Sequence, residues 1–255
     1  MNSRTMQKME LSLNASHPDL DSRRSALRTL CERREKELVR QANAAKVEEA
    51  MRDPCHWARS HASTFNPYWK EQGLQPNEPF PDLPYIPDLF AVLQAEPVVL
   101  IEKSRDLMAS WVCVAYLLWE AMREPYRLQI FQTLTLPKVV ELVNYAKQLY
   151  RSQPKWLQEA CPPSKPIERQ TDQGLEFANG SKILGIPGGK GDAGNKIRLY
   201  HPWGYLLDEA AFVSDAGECY DAVLAAGTQK MIFNSSAGPG WYADFKNDSI
   251  LNIEA

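Results

Sequence analysis

The sequence predicts an α/β fold: a mostly parallel sheet with helices on both faces, preceded by an N-terminal helical appendage. Three observations lead there. Short continuous apolar runs, such as Pro97-Val98-Val99-Leu100-Ile101, alternate with longer helical stripes, which is how strands buried on both faces are joined by crossover helices. Asn179-Gly180 between two apolar runs marks a tight hairpin turn. Arg and Glu crowd the stretch from Asp21 to Glu49, and glycine is absent from residues 1–60, so this region is set apart from the rest.

Each element follows in order. Leu27, Leu30, Cys31, Leu38 and Val39 recur at helical spacing within residues 1–60, so this appendage reads as an amphipathic helix docked on the main domain. The alternative is an arm that contacts a partner chain. Residues 61–255 form the second domain. From Phe65 to Pro97 the chain is rich in proline and aromatics and reads as irregular, extended chain that wraps the core. The first buried strand is Val98 to Ile101, followed by a buried helix from about Ser110 to Arg123, apolar on most sides. Leu128 to Phe131 is the next strand. Val139, Leu142, Val143, Ala146, Leu149 and Tyr150 give a clear helical stripe. Leu175 to Phe177 and Lys182 to Ile186 form the hairpin. Tyr205 to Leu207 is a strand, Asp221 to Ala226 a helix, and Met231 to Phe233 a last strand.

Composition narrows the function classes. With 255 residues and 44% hydrophobic side chains, the chain can bury a full core and is not globally disordered. No apolar run is long enough for a membrane span, and the N-terminus lacks a signal-peptide core. A net charge of −3 does not fit a strongly basic nucleic-acid module. Five scattered cysteines with no CxxC pair support neither a zinc ribbon nor a disulfide framework, so a reducing compartment is expected.

Three stretches carry chemistry. Glu102-Lys103-Ser104-Arg105-Asp106-Leu107-Met108-Ala109-Ser110-Trp111 lies between a buried strand and a buried helix. In a nucleotide-binding sheet this is where phosphates meet a helix N-terminus. Lys103 and Arg105 add charge there, and the Ser110 hydroxyl suits Mg²⁺. Leu206-Leu207-Asp208-Glu209 is an apolar strand ending in two acids, the arrangement in which one carboxylate holds a metal's water shell and the next polarises the attacking water. Ser235 and Ser236 end the last strand with small hydroxyls. Pro187 to Gly194 is the most glycine-rich stretch, but Lys190 is followed by glycine and by no helical pattern, so it reads as a surface loop.

Taken in order, these stretches resemble the N-terminal ATPase domain of the large terminase subunit of tailed bacteriophages. Lys103-Ser104-Arg105-Asp106 with Ser110-Trp111 resembles that family's deviant Walker A. Phe177-Ala178-Asn179-Gly180-Ser181-Lys182-Ile183 resembles its hairpin, Asp208-Glu209-Ala210-Ala211-Phe212 its Walker B, and Ser235-Ser236 with Gly238-Pro239-Gly240-Trp241-Tyr242 its coupling motif. The resemblance implies a P-loop NTPase fold of the ASCE type and an Mg²⁺-dependent ATPase that drives double-stranded DNA into a procapsid. It assigns ATP binding to Lys103, Ser104, Arg105 and Ser110, and Mg²⁺ to Ser110 and Asp208. Glu209 activates water, Arg105 stabilises the γ-phosphate, and Ser235-Ser236 couple hydrolysis to movement. Arg198, 11 residues before Glu209, falls where the family has an arginine reaching a neighbour's site. An aromatic between Phe65 and Tyr85 is expected to stack on adenine.

The implied partners are duplex DNA, the portal protein, the small terminase subunit and like subunits in a ring, with a monomer in isolation, no membrane, and residence in the host cytoplasm. One departure stands out. Met108 occupies a loop position where the family has glycine, which implies weaker phosphate binding. Two alternatives stay open: a helicase-like or recombination ATPase, and a nucleotide-incompetent scaffold subunit of the packaging machine. The family continues into an RNase H-like nuclease, and the sequence stops at Ala255 soon after the coupling motif. It therefore reads as a motor half without DNA cleavage.

Overall fold

The computed structural model describes residues 18–65, 77–104, 107–188, 193–236, 238 and 240–251. The chain divides into two compact units after Glu48. The first is built on a 33-residue helix, α1 (Pro18–Ala50), whose Leu30, Cys31 and Leu38 are exposed. The second unit begins inside what the sequence assigns to the appendage. Helix α2 (Pro54–His61) is capped by the Asp53 side chain, which accepts from the His56 N–H, and it buries Trp57 and Ala58 completely.

A small antiparallel pair, β1 (Ser63–Phe65) and β2 (Asn77–Pro79), follows. Within the stretch read as irregular there is then a helix, α3 (Tyr85–Ala95). Its Pro87 sits in the first turn, where the missing N–H costs nothing. Ile86, Phe90 and Leu93, spaced four and three apart, are buried. The helical spacing was present in the sequence, and the surrounding prolines masked it.

The main sheet comprises β3 (Val98–Glu102), β4 (Leu128–Thr133), β5 (Gly174–Glu176), β6 (Lys182–Pro187), β7 (Gly204–Asp208) and β8 (Lys230–Ser235). Their order across the sheet is β3-β8-β7-β4-β6-β5. All pairings are parallel except β5 with β6. Helices α4 (Ala109–Arg123) and α5 (Leu136–Ser152) pack on each other, and α4 buries nearly every side chain. A short α6 (Lys155–Ala160) follows α5. On the opposite face, Tyr205, Leu207, Met231 and Phe233 form a second core with Cys219 and Val223 of α8 (Ala216–Ala225) and Tyr242 of α9 (Trp241–Leu251). A five-residue helix, α7 (Ala193–Ile197), begins at the end of the glycine-rich stretch, where the sequence shows no helical pattern. So short a helix has too few turns to declare a period. Residues 189–192 lie outside the described residues.

The Asn179-Gly180-Ser181 turn has a structural job. Gly180 sits at φ 87°, and a Cβ there would overlap the Tyr126 ring. Asn179 Nδ2 donates to the carbonyls of Ala121 and Met122 (2.9 and 3.2 Å), and Ser181 Oγ donates to Glu124 O (2.7 Å). The turn thus satisfies the open carbonyls at the end of α4 and fixes the helix whose other end faces the candidate site.

Candidate functional site

Parallel strands bring their C-terminal ends to one edge, and side chains alternate between the two faces. Tyr205 and Leu207 of β7 and Met231 and Phe233 of β8 point into the second core. Alternation therefore puts Asp208 and Asn234 on the α4 face at the end of their strands, in register with each other. Ser110, in the first turn of α4, meets them there. Its Oγ donates to Asp208 Oδ1 at 2.7 Å. Asn234 Nδ2 donates to the same carboxylate oxygen at 2.8 Å.

Lys103 leaves the end of β3 and returns to this cluster. Its Nζ lies 2.8 Å from Ser110 Oγ, 3.6 Å from Asp208 Oδ1 and 3.7 Å from Glu209 Oε1. Its backbone N–H donates to Ser235 O at 2.9 Å. The Ser235 hydroxyl, fully buried, accepts from the Ala211 N–H at 3.1 Å. One serine therefore ties the strand end carrying Lys103 to the turn that follows Glu209.

Lys103, Ser104, Ser110, Asp208, Glu209 and Ser236 line one cleft of about 350 Å³. Arg105 lies outside the described residues. Arg198 is exposed after α7, hydrogen-bonded to Asn195 Oδ1 at 3.2 Å, and is not among the described residues of the cleft. Of the aromatics between Phe65 and Tyr85, Phe80 is buried, while the Tyr85 hydroxyl donates to Leu107 O in the loop at 2.6 Å.

The electrostatics favour a hard cation. Burial pushes the Asp208 carboxyl above its ordinary range, and Lys103 and the Ser110 hydrogen bond hold it down only in part. Burial of Cys113 pushes its thiol up, with Asp208 adding to the effect. Asn234 Oδ1 is buried without a hydrogen-bond partner. A hydroxyl, a carboxylate and a nearby orphaned acceptor are oxygen donors that fit a dication with its water shell. Ser110 and Asp208 would hold such an ion, and Asn234, whose Nδ2 donates to Asp208, would orient the carboxylate.

Two residues of the site sit in left-handed backbone. Glu209 has φ 57° and Met108 has φ 52°. Such geometry costs a side-chain-bearing residue on the order of 1 kcal/mol. At Met108, which precedes α4, the position demands what glycine supplies freely. Met108→Gly is therefore expected to leave thermal stability unchanged or raise it by up to about 1 kcal/mol, and to tighten nucleotide binding. Thermal melts and a nucleotide titration check this; a clear drop in stability would contradict the strain.

The sequence reading missed the polar residues that α5 brings to the cleft. Lys138, Glu141 and Tyr145 of α5 line it beside Lys103. They lie some 30 or more residues from either acid or basic motif, and only the β4–α5 crossover brings them in. Asn234 was likewise passed over, though its position just before Ser235, one strand over from Asp208, was the available signal.

No family model matches the chain, and no curated protein does. Solved structures do. The large terminase of bacteriophage HK97 superposes with a TM-score of 0.59 at 13% identity, covering 80% of this chain and 42% of that one. A large terminase from a thermophilic bacteriophage gives 0.47 at 12% identity over 61% of this chain and 39% of that one. The large terminase ATPase domain of Thermus phage P74-26 gives 0.44 at 13% identity, covering 72% and 74%. With the first of these the chain shares its α/β fold, and it spans less than half that protein's length.

Proposed function

We propose that this chain is the ATP-hydrolysing motor of a phage terminase large subunit, translocating double-stranded DNA into a procapsid in the host cytoplasm. The observation that carries the proposal is the meeting of Lys103, Ser110, Asp208 and Glu209 in one cleft at the C-terminal edge of a parallel sheet. These four come from two stretches about a hundred positions apart in sequence, and the shared fold supports the reading.

Lys103 binds the β- and γ-phosphates, with Ser104 and Arg105 contributing from the loop. Its ammonium lies against both Ser110 and Asp208, so it would turn toward the phosphates when those two residues hold a dication. Mg²⁺, when bound by Ser110 and Asp208, neutralises charge that develops on the phosphates. Glu209 orients and deprotonates the attacking water. Ser235 and Ser236 pass the change in the cleft to the neighbouring strand ends.

Arg198 is exposed, and its partner among the described residues is the neighbouring Asn195. Such a side chain suits a residue that completes the site of the next subunit in a ring on the portal. The small terminase subunit and duplex DNA complete the assembly. Arg198→Ala is expected to leave the slow hydrolysis of the isolated chain unchanged. With portal-bearing procapsids and duplex DNA it should lose the stimulated rate, by about 10³-fold if it acts as other arginine fingers do. Steady-state ATP hydrolysis in both settings checks this. Equal loss in both, or in neither, sinks the trans role.

A further inference from the structure

Lys138 stands in the first turn of α5, a turn with no acidic residue and no side-chain cap from Thr135. A cation there opposes the helix dipole, so the position is not explained by helix stability. It lines the same cleft as Lys103, Asp208 and Glu209. Its Nζ donates to Glu141 Oε2 at 2.8 Å, across an exposed pair one turn apart. Such a pair holds weakly and is easily exchanged.

Glu141 has a second partner besides Lys138. Its other oxygen accepts from the Tyr145 hydroxyl at 2.6 Å, and Tyr145 is fixed by stacking on Trp111 with ring centroids 4.0 Å apart. Burial alone would push the Glu141 carboxyl up, but the bonds from Lys138 and Tyr145 outweigh it and hold it below its ordinary value. The hydrogen bond to Glu141 holds the Lys138 ammonium above its ordinary value, and Asp208 and Glu209 add to this from across the cleft. One arm of the arrangement is rigid, and Lys138 is its movable member.

On the ATPase reading Glu209 acts beside the terminal phosphate, and Lys138 lines the same cleft, close enough to feel the charge of Glu209. The cleft also lacks a lysine at the start of α4, where Ala109 stands, so a triphosphate meets less positive charge from α4 than a loop ending in lysine would give. We propose that Lys138 is a γ-phosphate-contacting residue, held on Glu141 before nucleotide arrives and transferred to the terminal phosphate when a nucleoside triphosphate binds. The inference rests on the ATPase reading and extends it to the discrimination of triphosphate from diphosphate.

The test is calorimetric binding of ATPγS and of ADP to the full chain, with Mg²⁺, for wild type, Lys138→Met, Glu141→Gln and the double variant, with circular dichroism confirming the fold. Lys138→Met should weaken ATPγS by about tenfold, as loss of one charge-assisted contact does, and leave ADP within about twofold. Glu141→Gln should tighten ATPγS in the wild-type background and have no effect in the Lys138→Met background, because its influence passes through the lysine. Wild type that binds both nucleotides, with a Lys138→Met variant that weakens neither or both equally, overturns this role and leaves the ATPase reading standing. An equal effect of Glu141→Gln in both backgrounds also overturns the transfer. Wild type that binds neither nucleotide overturns both readings.

Discussion

Lys103→Ala is expected to abolish ATP turnover while leaving the sheet intact. The Lys103 ammonium is the cation closest to the Ser110–Asp208 pair among the described residues, within 4 Å of both acids. With Ala109 in the usual lysine position, nothing on α4 replaces it. Removal of one preorganised group that meets developing charge lowers rates by about 10²–10³, and here ground-state phosphate binding falls as well. The fold should survive, because Asp208 keeps the hydrogen bonds from Ser110 and Asn234 and the Lys103 backbone N–H still pairs with Ser235. Hydrolysis assays beside circular dichroism read both halves. Retained turnover in a folded variant would remove Lys103 from the site.

Glu209→Gln separates binding from chemistry. Glu209 is half-exposed at the mouth of the cleft, with its backbone held in left-handed geometry. Its Oε1 lies 3.7 Å from Lys103 Nζ. Loss of a general base costs about 10²–10⁴ in rate. Glutamine keeps the shape and removes a negative charge that faces the terminal phosphate. Nucleotide affinity should therefore hold or rise while turnover collapses, the reverse of the binding defect expected for Lys103→Ala. Pre-steady-state and binding measurements on the two variants distinguish them. A Glu209→Gln chain that hydrolyses ATP at the wild-type rate would assign water activation elsewhere.

Much of this architecture was legible from local pattern. Strands β3, β4, β7 and β8 were visible as short apolar runs, because strands covered on both faces need apolar residues in succession, while β5 and β6 were placed by the turn between them. The α4 and α5 stripes were equally plain. Asn179-Gly180 announced its turn, although the reason that the turn matters, its grip on the end of α4, is a long-range fact. Helix α3 was hidden by prolines that in fact occupy its first turn, and α7 is too short to show a period. The site divides the same way. Lys103, Ser110, Asp208 and Glu209 belong to stretches whose residue types announce their chemistry. Lys138, Glu141 and Tyr145 sit on an ordinary amphipathic helix and reach the cleft only through the crossover from β4. Asn234 is a polar residue in a buried strand, and its value lies in the register that sets it beside Asp208. Met108 stood out only against the glycine that the family resemblance implies, and the left-handed backbone supplies its physical meaning.

Binding of a magnesium–nucleotide complex in the cleft is tested by a calorimetric titration of wild-type chain with ATP, with and without Mg²⁺. Saturable binding with one site per chain is expected, tightened by about tenfold or more when Mg²⁺ is present. A folded chain that shows no binding up to about 1 mM ATP in Mg²⁺, an affinity weaker than about 4 kcal/mol, would contradict it.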